Sequence, residues 1–367
     1  MNTPASVLGV EVTVDSTMTW ARQLLDRLSD VTAASARGCE PLHGAIRIEK
    51  ASIAPAQMRG EQIESGLART DDALIDRKYG VLLRFAGPET IVLQTDRACA
   101  EWFSWSLQLR ALHSRATFVH AAGLEQNGRA LLLAARHGFG KTGLIGELIR
   151  HHGWRLLGDD LTLLRPDGAC YGYPRALVVH PEHQSFFPEL FAQGDGPHAP
   201  RALSGSIERF GRAVKPLLRR VPGLLEQARR HNPQAKAVLP SRAFGPDRIA
   251  AHALLHAVIW LERRTDLRLP SLRPAADSMA SRAFSSTIDE FDSWCVHVTN
   301  LAMSLGMLDA VRTYGNWLGV LQSGMTNAGL YALHVPAALP FEEMPAVVHD
   351  LLVAEGIIES TEAVQCT

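Results

Sequence analysis

Polar and apolar residues alternate in short runs through the first hundred positions of the chain. "VLGVEVTV", "GAIRIEK", "YGVLLRFAG" and "ETIVLQT" carry the period-two pattern of half-buried strands. After the first of these, "TMTWARQLLDRLSDV" spaces its apolar residues as a helix does. The pattern predicts a small N-terminal α/β unit over residues 1–105. A helix expected from "DRACAEWFSWSLQLRALHS" leads into a second region, 106–367, and its Trp102, Phe103 and Trp105 are assigned to the core or to a domain contact.

From Thr117 the pattern tightens. "TFVHAAGL" and "RALLLAA" are strand-like runs on either side of Asn127-Gly128, a dipeptide suited to the two positive-φ positions of a type I′ turn. A two-residue turn there sets Gln126 opposite Arg129, Leu124 opposite Leu131 and His120 opposite Ala135. "GLIGELIRHH" then reads as a helix ending near Gly153, which carries the chain roughly 16–18 Å away. "WRLLGDD" reads as a strand returning at about 3.3 Å per residue. A right-handed crossover makes that strand parallel to "ALLLAA" and delivers Asp159 and Asp160 to the edge where that strand ends. Downstream, a hairpin is expected around Pro166-Asp167-Gly168 and a buried element over "AHALLHAVIWLERR". A helix over "TNLAMSLGMLDAVRTYGNWLGVLQ", a strand over "GLYALHV" and a helix over "EEMPAVVHDLLVAEG" follow. No internal repeat is visible.

Composition narrows the class. With 367 residues, 46% hydrophobic and 20% charged, the chain has the makings of two globular units. A formal net charge of −1 offers no global attraction to nucleic acid or an anionic membrane. The charge is unevenly spread, since residues 201–242 hold ten Lys/Arg against Glu208 and Glu226, interrupted by Pro216, Pro222, Pro233 and Pro240. That stretch predicts short helices and mobile loops, either a solvated surface or a basic lid over nucleotide or an acidic acceptor. Five cysteines with no C-x-x-C pair suggest a reducing cytoplasm rather than a disulfide framework or zinc knuckle. The start shows no export signal and no run approaches ~18 apolar residues, so a soluble cytoplasmic protein is expected.

The chemistry concentrates in "AARHGFGKTGLI", residues 134–145. It ends as the phosphate-binding pattern G-x-x-x-x-G-K-[ST] does, with Ala135 in place of the first glycine. The backbone amides of Arg136, His137, Gly138, Phe139, Gly140, Lys141 and Thr142 would cradle a phosphate at the start of a helix that continues through Gly143. Lys141 would supply a point charge and the Thr142 hydroxyl a magnesium ligand. Two adjacent carboxylates beside a magnesium triphosphate can divide the work, one holding metal and the other accepting a proton. Lesser candidates are His180 and His183, which have a metal-ligand spacing, and His151-His152, which suit a helix end. Met303 and Met307 have core spacing.

The order His-x-x-G, hairpin, G-x-G-K-[ST], helix, Asp-Asp in "VHAAGLEQNGRALLLAARHGFGKTGLIGELIRHHGWRLLGDDLTLL" resembles the kinase core of the HPr kinase/phosphorylase family. These are bacterial serine kinases related in fold to the ATP-dependent phosphoenolpyruvate carboxykinases. The resemblance covers about 45 residues strongly, with "YGYPRALVV" and "AVIWLERR" looser. It implies an α/β fold with a phosphoenolpyruvate carboxykinase-like P-loop core and a mixed β-sheet, plus the smaller N-terminal α/β domain. It also implies ATP and Mg2+ as cofactors, Asp159 as general base, Asp160 with Thr142 on the metal, and His120 beside the γ-phosphate or the base. The family's arginine motif is not legible. Arg242 is the candidate by position, with Lys236 and Arg263 as rivals. The implied activity is transfer of the γ-phosphoryl group to a hydroxyl, foremost a serine of a protein or peptide. A small-molecule hydroxyl kinase and a nucleotide-binding regulatory or assembly protein are the alternatives. Family members assemble as oligomers, which makes a homo-oligomer an expectation here.

Overall fold

The computed structural model describes residues 2–28, 30–31, 41–52, 54–87, 89–135, 139–180, 183–188 and 236–359. By its internal contacts the chain forms two units, Met1–Ala176 with Leu239–Thr367, and Leu177–Val238. In the smaller unit the described strands β15 (Leu177–Val179) and β16 (Lys236–Val238) pair antiparallel. The basic stretch expected at 201–242 falls, over 201–235, outside the described residues.

The larger unit is mixed α/β. Its first sheet comprises β1 (Asn2–Val7), β2 (Val10–Asp15), β3 (Ala45–Lys50), β4 (Glu61–Glu64), β5 (Leu67–Arg69), β6 (Ala73–Asp76), β7 (Val81–Ala86) and β8 (Thr90–Thr95). Among the described residues the order is β1-β2-β3-β8-β7-β6-β5-β4. β3 is parallel to both β2 and β8, and the other pairs are antiparallel. Helix α1 (Thr19–Arg27) makes the β2-to-β3 connection possible, as the periodicity predicts. "VLGVEVTV", expected as one strand, is a hairpin instead, because Leu8 and Gly9 take φ of 57° and 90° and reverse the chain between Val7 and Val10. A leucine in the left-handed region is no turn signal in a sequence, and burial of its side chain is what offsets the strain.

The second sheet contains β9 (Thr117–Val119), β10 (Ala122–Gln126), β11 (Arg129–Ala135), β12 (Arg155–Gly158), β13 (Thr162–Leu164), β14 (Ala169–Tyr171), β17 (His252–Arg264), β18 (Ser271–Pro274) and β19 (Gly329–Pro336). Its spine is β17, the "HALLHAVIWLERR" segment. One flank of β17 runs parallel to β11, and the other meets β14 at its start and β19 along the rest. The further helices among the described residues are α2 (Ala100–His113), α3 (Lys141–His151), α4 (Pro240–Phe244), α5 (Ala276–Glu290), α6 (Ser293–Ser304), α7 (Asn316–Met325) and α8 (Met344–Ala354). The run expected as one helix from Thr299 is divided by Gly306. There Met307 N–H bonds the Ala302 carbonyl and Gly306 N–H the Met303 carbonyl, a Schellman stop with φ of 71° at the glycine.

α2 is apolar around most of its circumference and is buried accordingly. Trp102 donates to Asp76 (2.7 Å) in the first sheet, and Trp105 donates to Thr299 (2.6 Å) on α6 while packing on Phe291 and Trp317. One hydrophobic core therefore runs from β1–β8 through α2 to the helices of the second sheet. No described helix is long and apolar enough to cross a membrane.

Candidate phosphate and carboxylate site

The Asn127-Gly128 turn forms as its chemistry dictates, with φ of 53° and 77°, and pairs Gln126 with Arg129 and Leu124 with Leu131. The expected match of His120 with Ala135 does not occur. The arm ends at Ala122 opposite Leu133, and the chain bends at His120 and Ala121, where Ala121 N–H donates to the Val119 carbonyl (2.8 Å). The bend arises because β9 belongs to a different neighbour, β13, which pairs Val119 with Thr162. β12 runs in the same direction as β11, as expected of the crossover, but β10 lies between them and pairs antiparallel with each. The end of β11, the end of β12 and the start of β10 consequently share one sheet edge.

At that edge Ala135, the substituted glycine position, is the last residue of β11, pairs with Leu261 and has no positive φ. The methyl group therefore imposes no backbone strain. Arg136, His137 and Gly138 lie outside the described residues. Phe139 is half-buried, and Gly140 sits at φ 95° as the cap of α3. A Cβ at Gly140 would come within 2.5 Å of Met344 Cε, a chain end that can shift, so it is the left-handed φ that calls for glycine here. Lys141 and Thr142 open α3, whose first turn carries no acid and whose last carries Arg150 and His151, leaving the positive end of the helix at the loop. Gly143 is buried in the same turn.

Lys141 Nζ lies 2.9 Å from His120 Nε2 and donates to the Ala135 carbonyl at 3.2 Å. An ammonium has no acceptor, so Nε2 accepts and the imidazole proton resides on Nδ1. Nδ1 meets Ser286 Oγ at 2.9 Å and the Ser286 carbonyl at 3.1 Å, while His120 N–H donates to Thr287 Oγ1 at 2.9 Å. His120 and Lys141 are 3% and 7% exposed. The histidine thus links the loop lysine to α5.

Gly158 lets the chain turn sharply into the acidic pair, since a Cβ there would stand 2.2 Å from the Leu161 carbonyl. Asp159 is 5% exposed, and its Oδ1 has no hydrogen-bond partner. Its carboxyl is pushed up to about 7, by burial first and by the neighbouring Asp160 charge second, with Lys141 and Arg175 pulling the other way and Glu290 adding to the rise. Asp160 is bound by Arg175, whose Nη2 reaches Asp160 Oδ2 at 3.2 Å and Glu290 Oε1 at 3.0 Å. Burial opposes the charge on Arg175, but Asp160 and Glu290 outweigh it and hold the guanidinium above its ordinary value. Glu290 Oε2 also lies 3.6 Å from His120 Nε2.

Lys141, His120, Asp159 and Asp160 are therefore brought together, and the arginine that joins them is Arg175 rather than Arg242. Arg242 is exposed on α4, which is held near the far end of α3 by Arg150 donating to the Ala243 carbonyl (3.4 Å). Of the rivals, Arg263 donates to the Ala337 and Leu339 carbonyls. A signal for Arg175 existed in the predicted Pro166-Asp167-Gly168 hairpin: β13 leaves the acidic pair, β14 returns, and Arg175 follows four residues after Tyr171. Nothing local marked Ser286, Thr287 or Glu290. His183 Nδ1 accepts from His180 N–H (3.2 Å), a turn contact rather than a ligand geometry.

The donor set suits a hard cation. Carboxylate and hydroxyl oxygens are what magnesium prefers, and the buried, unpartnered Asp159 oxygen is an acceptor awaiting a proton or positive charge. Among the described residues no group of three or more His, Cys, Asp or Glu could hold a metal by itself. Magnesium needs only one or two carboxylates when phosphates supply the remaining oxygens, and the Asp160 carboxylate and the Thr142 hydroxyl are oxygen donors of the kind it takes.

No protein-family model matches the chain, and no curated protein matches it. Among solved structures, the Hpr(Ser) kinase/phosphatase from Coxiella burnetii matches at 11% identity over 66% of this chain and 97% of that one, with a TM-score of 0.30. It is a distant neighbour, and the chemistry below is derived from this chain's own residues.

Proposed function

We propose that the protein is an ATP-dependent phosphotransferase of HPr kinase type, with a phosphoenolpyruvate carboxykinase-like P-loop core within 106–367, preceded by the N-terminal α/β part, 1–105, to which no role is assigned. It transfers the γ-phosphoryl group to a hydroxyl, foremost a serine of a protein or peptide, in the cytoplasm. The observation that carries this reading is the convergence of Lys141, His120 and the acidic pair on one sheet edge beside the start of α3, with Asp159 Oδ1 buried and unpartnered.

In this reading the loop amides and the start of α3 bind the phosphates, and Lys141 leaves Ala135 to reach them. Magnesium, when bound, would neutralise charge developing on the phosphoryl oxygens. Asp159 takes the proton of the acceptor hydroxyl as its oxygen bonds to the γ-phosphorus and the bond to the β,γ-bridging oxygen breaks. ADP leaves with the electron pair. A carboxyl near 7 matches that duty better than one of ordinary acidity. His120 holds Lys141 between turnovers.

The test is calorimetric titration of magnesium-ATP into the intact protein and into Lys141→Ala. Saturable binding that the variant loses is expected, and no binding to the intact protein overturns the proposal. Binding without transfer or hydrolysis would move the assignment to a regulatory nucleotide-binding protein. A screen of serine peptides against small hydroxylated molecules then separates the acceptor classes.

A further inference from the structure

Arg175 serves two carboxylates through one nitrogen, and the two are not equivalent. The Glu290 side chain is 11% exposed and closes α5, the helix whose preceding turn fixes His120 through Ser286 and Thr287. The Asp160 side chain is 30% exposed and stands in a bend after β12. Around them Asp159, Asp160 and Glu290 face Lys141 and Arg175, and Asp159 Oδ1 is buried without a partner. A cation arriving at Asp160 would leave Arg175, whose side chain is 28% exposed, half-paired, which is costly unless a second carboxylate retains it.

We propose that Arg175 is the exchangeable counter-ion of Asp160 and that Glu290 is the positioning residue that retains it when a divalent cation takes Asp160. Arg175 then stays beside the acidic pair, its N–H groups available to the transferring phosphoryl. The last step rests on the phosphotransferase reading; exchange at Asp160 does not.

The probe is Mn2+ alone, carried to millimolar concentration with the full chain and followed by electron paramagnetic resonance, because without a nucleotide's phosphates water supplies most of the ion's coordination and binding at Asp160 is weak. Arg175→Gln should bind Mn2+ about tenfold more tightly and Glu290→Gln about tenfold more weakly, the scale of one charge-assisted hydrogen bond gained or lost by Asp160. Charge alone would give the same signs, so the double variant decides. If Glu290 acts through Arg175, adding Glu290→Gln to Arg175→Gln changes Mn2+ affinity by less than about twofold. A tenfold loss in that background overturns the proposal, as does a failure of Arg175→Gln to bind Mn2+. Should Glu290→Gln not fold, Glu290→Asp carries the test. It keeps the charge but shortens the reach to Arg175 by one methylene, so weaker Mn2+ binding is expected and an affinity equal to the parent's overturns the idea. Nucleotide binding with no Mn2+ pattern removes the counter-ion role alone; the Mn2+ pattern with no nucleotide binding removes the phosphotransferase reading alone.

Discussion

Asp159→Asn tests the charge arrangement through stability, with no substrate needed. The folded carboxyl titrates at about 7, whereas the ordinary value is 3.8. A raised folded value means the native state binds this proton more tightly than the unfolded chain does. Ionisation therefore costs stability progressively as pH rises through that window, and the cost is complete above the folded value. A shift of about 3 pH units corresponds to a cost of about 4 kcal/mol at about pH 8 and about 2 kcal/mol at about pH 5. Asparagine removes the cost at every pH. Its amide replaces one carboxyl oxygen with two N–H donors in a buried position, and a donor left without a partner there costs about 1–3 kcal/mol at every pH. The variant should thus match or fall slightly below the parent near pH 5 and exceed it by about 2 kcal/mol near pH 8. Urea unfolding at both pH values, followed through the buried tryptophans, measures this. Because other groups titrate in both proteins, only the difference between the two proteins counts. A difference that stays flat, or shrinks toward alkaline pH, refutes the reasoning. The same substitution should abolish phosphoryl transfer while nucleotide affinity is largely kept.

Other substitutions test the frame around the site. Gly140→Ala puts an alanine at a left-handed position and should destabilise the protein by about 1–2 kcal/mol, as thermal melts would show. Asp292→Ala removes the cap that accepts from Trp294 N–H and Cys295 N–H at the start of α6 and the Tyr79 hydroxyl bond, and should cost about 1–3 kcal/mol in urea unfolding. Ser286→Ala leaves its carbonyl as the acceptor for His120 Nδ1, so nitrogen-15 spectra should show the Nδ1–H tautomer retained, at a cost of about 1 kcal/mol. A switch to the Nε2–H form would contradict the Lys141 contact.

The chain's own pattern was enough for features written in neighbouring residues. Asn127-Gly128 determined a turn type and, through it, the pairing of residues up to Ala122 and Leu133. Period-two and helical spacing located most strands and helices, and the length of α3 with the strand after it returned Asp159 to the end of the sheet where β11 stops. These follow from local sterics and burial, which act over a few residues. Tertiary structure alone decided that β10 lies between β11 and β12, that the chain bends at His120 because β9 pairs with β13, and that Leu8 turns a hairpin. It alone brought Ser286, Thr287 and Glu290 to His120 and Arg175, across more than a hundred residues of sequence. Such contacts depend on which face of α5 meets the sheet, a choice made by packing of the whole core, and no spacing along the chain encodes it.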